Sequence, residues 1–199
     1  MPPIDGTSEK ATLRATAEQR RREQPDKDRL SAVICDRFAG LAEYLAAETV
    51  MVYVGVRNEV RTRPFVAAAL AAGRRLVVPY CVGRELHLFR LDGLEELEIG
   101  HFGIPEPAAG MRHLVPRRVA PAALDVVMVP GVAFDRRGGR IGHGKGYYDQ
   151  LLARVRPDAF LAGLAFECQL FPTVPMEDHD VFLDAVITEK RQYPGLRRP

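Results

Sequence analysis

The sequence predicts an α/β protein of three layers, with helices flanking a largely parallel sheet. Short runs of Val, Ile, Leu and Ala recur along the chain and are too uniformly apolar for half-exposed strands; they read as strands buried on both faces. Between them lie segments with apolar residues at three- and four-residue spacing, and Gly and Pro mark the joins. Strand alternating with helix implies parallel pairing through right-handed crossovers.

The elements follow in order. Ser8 to Gln24 reads as a highly charged helix, capped by Ser8 and stopped by Pro25. From Asp26 to Ala47, Leu30, Val33, Ile34, Phe38, Leu41 and Leu45 form the core face of a second helix. VMVYV (Val50–Val54) is the first buried strand. A helix spans Thr62–Gly73, with Thr62 as cap, Pro64 in its first turn and Gly73 just past its end. RRLVVPY (Arg74–Tyr80) is the second strand, and ELHLFRL, whose alternation is imperfect, an edge strand. Residues 92–121 are irregular, because Pro and Gly, as in GIPEP (Gly103–Pro107), exclude a long helix. LDVVMVP (Leu124–Pro130) is the clearest buried strand. A helix from Lys145 to Arg156 buries Tyr148, Leu151, Leu152 and Val155, and AFLAGLA and LDAVIT supply two more strands. One domain over 1–199 is expected, with residues 1–7 and 192–199 as flexible tails.

Composition narrows the function. Hydrophobic residues at 47% and charged residues at 27% fit an ordinary globular protein. A net charge of +2 is too weakly basic for a dedicated nucleic-acid binder. The three cysteines (Cys35, Cys81, Cys168) have neither disulfide nor zinc spacing, and the amino terminus has no apolar signal segment. A cytoplasmic monomer without nucleic-acid or membrane partners is expected.

Between Gly138 and Asp149 stands GGRIGHGKGYYD. The stretch follows the clearest strand and opens a helix, the place where α/β sheets bind ligands and where helix amides favour anions. Glycines let backbone N–H groups approach a phosphate. Arg140 and Lys145 add mobile positive charge, and Asp149 stands where a carboxylate can hold Mg²⁺. Walker A spacing fails because Gly146 replaces the Ser or Thr that would reach the metal, and the dinucleotide fingerprint fails because Tyr147 replaces its third glycine. A connecting hairpin is the bland alternative. By helical geometry Tyr148 joins the Leu151/Leu152 face as packing, while Tyr147 projects toward the site.

VPGVAFDRRGGRIGHGKGYYDQLLAR resembles the signature of the 5-formyltetrahydrofolate cyclo-ligases, also called 5,10-methenyltetrahydrofolate synthetases. The similarity extends to KATLR (Lys10–Arg14), RNEVRT (Arg57–Thr62), GIPEP, and the segment from FECQL through VPMEDHDVFLDAVIT. What the resemblance implies is a Rossmann-like fold of the NagB/RpiA/CoA-transferase-like type. It also implies an ATP-dependent closure of 5-formyltetrahydrofolate to 5,10-methenyltetrahydrofolate through a phosphorylated formyl group. ATP would meet Lys10, Arg14, Arg140, Gly142, Gly144, Lys145, Gly146, Tyr147 and Tyr148, with Arg140 and Lys145 as the catalytic cations. The reduced folate would meet Glu59, Phe102, His143, Gly144, Lys145 and Tyr147. Asp149 and Asp184 would hold Mg²⁺.

In that reading Glu59 hydrogen-bonds the amide and amine edge of the pterin. MEDHD (Met176–Asp180) reads as a solvated acidic loop, since three acids and a histidine in succession cannot all face one ion. His87, His101 and His113 show no ligand spacing. Two other classes compete: a non-catalytic nucleotide- or RNA-binding member of the same fold, and an unrelated small-molecule kinase sharing only a phosphate loop. Lys10, Arg14, Glu59, Lys145, Asp149 and Asp184 together favour the enzyme.

Overall fold

The computed structural model describes residues 6–100, 103–178 and 180–196. In chain order the helices are α1 (Gly6–Glu23), α2 (Lys27–Ala39), α3 (Ala42–Ala46), α4 (Arg63–Ala71) and α5 (Tyr147–Leu152). The strands are β1 (Thr49–Met51), β2 (Arg75–Val82), β3 (Glu85–Leu91), β4 (Leu97–Ile99), β5 (Pro105–Pro107), β6 (Arg118–Val119) and β7 (Val126–Val129). They continue as β8 (Ala133–Asp135), β9 (Arg140–Ile141), β10 (Phe160–Leu164), β11 (Leu170–Phe171), β12 (Ala185–Ile187) and β13 (Gln192–Pro194).

The main sheet has the order β13-β12-β10-β7-β1-β2-β3-β6. Its five central strands, β12 to β2, run parallel, and β13, β3 and β6 join antiparallel. Side chains alternate across it. Val50, Val52, Val126 and Met128 pack with Leu30, Ile34, Phe38 and Val66 from α2 and α4, whereas Met51, Val127 and Val129 pack with Leu151 and Leu152 of α5 and with Phe134. Both faces of the central strands are thus covered, which is why their sequences are apolar throughout. A small sheet, β11-β8-β9, carries α1, whose Leu13 and Ala17 pack with Val132, Ala133 and Ile141.

The expected architecture is present, with local corrections. α1 starts at Gly6, so Ser8 is inside the helix and caps nothing. The second helix breaks at Gly40 into α2 and α3, and the change of phase leaves Leu45 64% exposed. Thr62 holds the N-cap position of α4 as expected, but its side chain does not cap; its Oγ1 donates to Tyr53 O and accepts from Gly55 N–H, fastening α4 to the chain leaving β1. β3 is internal, because β6 pairs along its outer side. Within the irregular stretch, β4 and β5 pair antiparallel, so GIPEP contains a strand. The helix expected to Arg156 stops at Leu152. The expected carboxy-terminal tail begins with β13, paired to β12, and Leu196 N–H donates to Arg137 O.

Candidate active site

A cleft of about 380 Å³ opens at the carboxyl ends of β1 and β7, a volume suited to small ligands. Its position follows from a fork in the sheet. β1 pairs with β2 only as far as Met51↔Val77, with Val52 N–H donating to Val77 O. The chain then runs on through Tyr53 and Val54 on one side of the cleft while β2 continues through Pro79 and Cys81 on the other.

The lining combines two chemistries. Val54, Val56, Pro79, Leu86 and Ile104 are apolar, and Lys10 and Arg14 from α1, Arg140, Lys145, Asp149 and Asp180 are charged. Lys10, Arg14, Ala17 and Arg21 recur at helical spacing, so α1 turns one stripe inward; Ala17 and Arg21 are buried. Arg14 Nε donates to Gly142 O at 2.9 Å, tying α1 to the glycine loop. Lys10 Nζ pairs with Glu177 Oε1 at 2.7 Å and Asp180 Oδ2 at 2.9 Å. Burial alone would lower the Lys10 pKa, but these two carboxylates override it and raise it.

The glycines of the signature divide by function. Asp135, fully buried, accepts from Arg137 N–H, Gly139 N–H and Val174 N–H and so builds the turn from β8 to β9. A Cβ at Gly139 would sit 2.8 Å from that carboxylate, and one at Gly138, whose φ is +90°, 2.3 Å from Leu183 O. Those two glycines are structural, and the hairpin alternative holds for this half of the stretch. Gly144 and Gly146, with φ of +78° and +71°, shape the loop that lines the cleft.

Arg140 is corrected from mobile to fixed. It is buried, ion-paired with Asp149 Oδ1 and stacked near the Tyr148 ring, and its Nε lacks a hydrogen-bond partner. Tyr148 is more than packing, since it also lines the cleft. Burial, reinforced by the Glu59 charge and opposed by Arg140, pushes its phenol far above the usual value. Burial does the same to Tyr53. Both phenols therefore stay protonated and uncharged. Tyr147 lines the cleft and donates from its hydroxyl to Gly83 O at 3.1 Å, bridging α5 to the β2–β3 turn.

Glu59 and His143 meet across the cleft. Glu59 Oε2 accepts from Val56 N–H at 3.0 Å, and Oε1 lies 4.0 Å from His143 Nε2, whose Nδ1 lies 3.8 Å from Glu18. Arg57, at the same turn, has a φ of +54°, a conformation uncommon for a non-glycine residue.

The cleft gathers Lys10, Arg14, Glu59, Arg140, Gly142, His143, Gly144, Lys145, Gly146, Tyr147, Tyr148 and Asp149. It does not include Asp184. That residue precedes β12 at the opposite, amino-terminal edge of the sheet, where its carboxylate accepts Leu161 N–H at 2.7 Å. Phe102 lies outside the described residues. Asp180 corrects the reading of MEDHD as solvated: its side chain is 11% exposed and faces the cleft. The missed signal was its pairing with Lys10, 170 residues away in sequence. Tyr53, Cys81 and Glu106 also line the cleft and carry no local motif.

A profile of the 5-formyltetrahydrofolate cyclo-ligase family matches residues 6–189. The chain belongs to the 5-formyltetrahydrofolate cyclo-ligase family. It is 28% identical over 202 residues to the 5-formyltetrahydrofolate cyclo-ligase of Mus musculus, covering 95% of this chain and 98% of that one. The probable cyclo-ligase of Schizosaccharomyces pombe is 30% identical over 178 residues, 82% of this chain and 86% of its own. The 5,10-methenyltetrahydrofolate synthetase of Aquifex aeolicus superposes with a TM-score of 0.81 at 34% identity, over 96% of this chain and 94% of that one. The Mycoplasma pneumoniae synthetase, at 23% identity and a TM-score of 0.71, shares the fold. The cleft is thus that of a cyclo-ligase family enzyme, and no helix among its described residues is long and apolar enough to cross a membrane.

Proposed function

We propose that this cleft converts 5-formyltetrahydrofolate to 5,10-methenyltetrahydrofolate with consumption of one ATP. The observation that carries the reading is a single cleft whose lining joins apolar residues, fit for a flat heterocycle, with Lys10, Arg14, Arg140 and Lys145, fit for phosphates. The formyl oxygen on the ring nitrogen N5 attacks the γ-phosphorus, and the bond to ADP breaks. The resulting imidate carbon is then attacked by N10, which loses its proton, and inorganic phosphate leaves with the former formyl oxygen.

Such chemistry needs positioning and charge neutralisation more than a protein nucleophile. Lys145 is the exposed cation of the loop, and Arg140 has an unmet Nε–H beside the cleft. The two protonated tyrosines, Tyr53 and Tyr148, supply hydroxyls without adding charge. Among the described residues no three His, Cys, Asp or Glu groups form an all-protein metal cage. Mg²⁺ fits this donor set, since it is commonly held by one or two carboxylates together with substrate phosphates. Asp149 and Asp180 would hold it, and it would neutralise phosphate charge there.

Incubation with 5-formyltetrahydrofolate and MgATP should produce the methenyl product's near-ultraviolet absorbance. Asp149→Asn should remove turnover, with the fold retained at lower stability because the buried Arg140 loses its carboxylate partner. Absence of both product and ATP turnover in the wild-type protein would refute the proposal.

A further inference from the structure

We infer that Glu106 recognises the amino-bearing edge of the substrate's pyrimidine ring and so determines which heterocycle the cleft accepts. This rests on the reduced-folate reading above. Glu106 is 2% exposed, yet it lines the cleft together with Pro79, Cys81 and Ile104.

The site is built for that carboxylate. Beyond the fork, β2 has no strand beside it on the β1 side among the described residues. Pro79 has no N–H to leave unpaired there. Cys81, two residues on and facing the same edge, gives its N–H to Glu106 Oε1 at 3.1 Å. Arg112 Nη2 reaches Oε2 at 3.2 Å; its Nε is anchored on Pro107 O at 2.7 Å, and its guanidinium lies 5.2 Å from the Tyr80 ring centre. A Cβ at Gly100 would come within 2.5 Å of Oε2, so the glycine leaves the carboxylate its space. An ion pair in an apolar wall is a poor route to stability, because desolvation consumes most of its attraction. Its presence at the wall of a ligand cleft suits recognition better.

The chemistry of the ligand matches. A reduced folate presents its ring N3–H and exocyclic amine side by side, two parallel donors that one carboxylate accepts together. The Cys81 N–H and thiol and Arg112 donate to the Glu106 carboxylate, whose roughly four lone-pair sites leave acceptor capacity for a ligand. Glu59, by contrast, faces His143 in the glycine loop, which places it at the reacting end of the substrate and not at the pyrimidine.

The test is a chemical and mutational cycle. Steady-state kinetics and calorimetric binding would compare 5-formyltetrahydrofolate with its 2-desamino-2-methyl analogue, in wild type and Glu106→Gln. Glu106→Gln should raise the folate KM by about tenfold or more, as expected for loss of a charged hydrogen-bond pair, with the ATP KM unchanged. The wild type should lose a similar factor on the analogue, and the variant should lose little further. An unchanged folate KM, equal effects on both substrates, or losses that simply multiply would overturn the inference. If Glu106→Gln fails to fold, Glu106→Asp enters the same cycle. A wild-type enzyme that makes no methenyl product refutes the functional proposal itself, whereas an active one with multiplying losses refutes Glu106 alone.

Discussion

Arg140 and Lys145 show how one sequence motif holds two kinds of cation. Arg140 is buried against Asp149 and Tyr148, whereas Lys145 is exposed on the loop. Their alanine variants should therefore fail differently. Lys145→Ala should lower turnover by about 10²–10³, the usual cost of removing one transition-state donor, with an unchanged melting temperature. Arg140→Ala should lower turnover and also destabilise the fold by about 1–3 kcal/mol, since a partly buried carboxylate loses its partner. Equal melting temperatures for the two would contradict the assignment. At this scale the motif was legible, but the environment of each member was not. Gly138 and Gly139 share composition with Gly144 and Gly146, yet only Leu183 and Asp135, close in space, reveal the first pair as packing positions. Asp184 is placed away from the cleft for the same reason: its position before an apolar strand is visible in sequence, but which edge of the sheet it occupies depends on how that strand pairs.

Elements are positioned by a few partly buried polar ties. Asp125, just before β7, accepts Glu48 N–H and Thr49 N–H, with Thr49 at 2.6 Å, and pairs with Arg156 at 2.6 Å. It joins the starts of β1 and β7 to the segment after α5. Burial would raise its pKa, but the two N–H groups and Arg156 prevail and hold it below the usual carboxylate value. A depressed pKa stabilises the fold above the unfolded-state value and ceases to do so as pH falls through the folded one. Asp125→Ala should thus cost about 1–3 kcal/mol at neutral pH, and the difference from wild type should shrink in acid below about pH 4. Urea denaturation at both pH values checks this; a constant difference would contradict it. The sequence placed most strands and helices, because burial on both faces and helical spacing are local signals. It missed the break at Gly40 and the pairing of β6 with β3, since these depend on partners distant in sequence.

For the whole molecule, the reduced thiols are a sensitive probe of packing. Burial pushes Cys35 up to about 12 and Cys168 to about 11, and burial together with the Glu106 charge takes Cys81 to about 11. In the folded chain these thiols keep their protons above pH 9, where unfolded thiols ionise, so the folded state binds more protons and stability falls as pH rises. A variant with all three cysteines replaced by Ser should lose less stability than wild type between pH 8 and 10, measured by urea denaturation. A steeper loss would contradict the burial of these groups.

In the proposed reaction the assembled cleft activates a formyl oxygen by phosphorylation before the ring closes. The most direct measurement uses 5-formyltetrahydrofolate labelled with ¹⁸O in the formyl group. After turnover with MgATP, the account predicts one label in each inorganic phosphate released with methenyl product. Label recovered in water, with unlabelled phosphate, would contradict it.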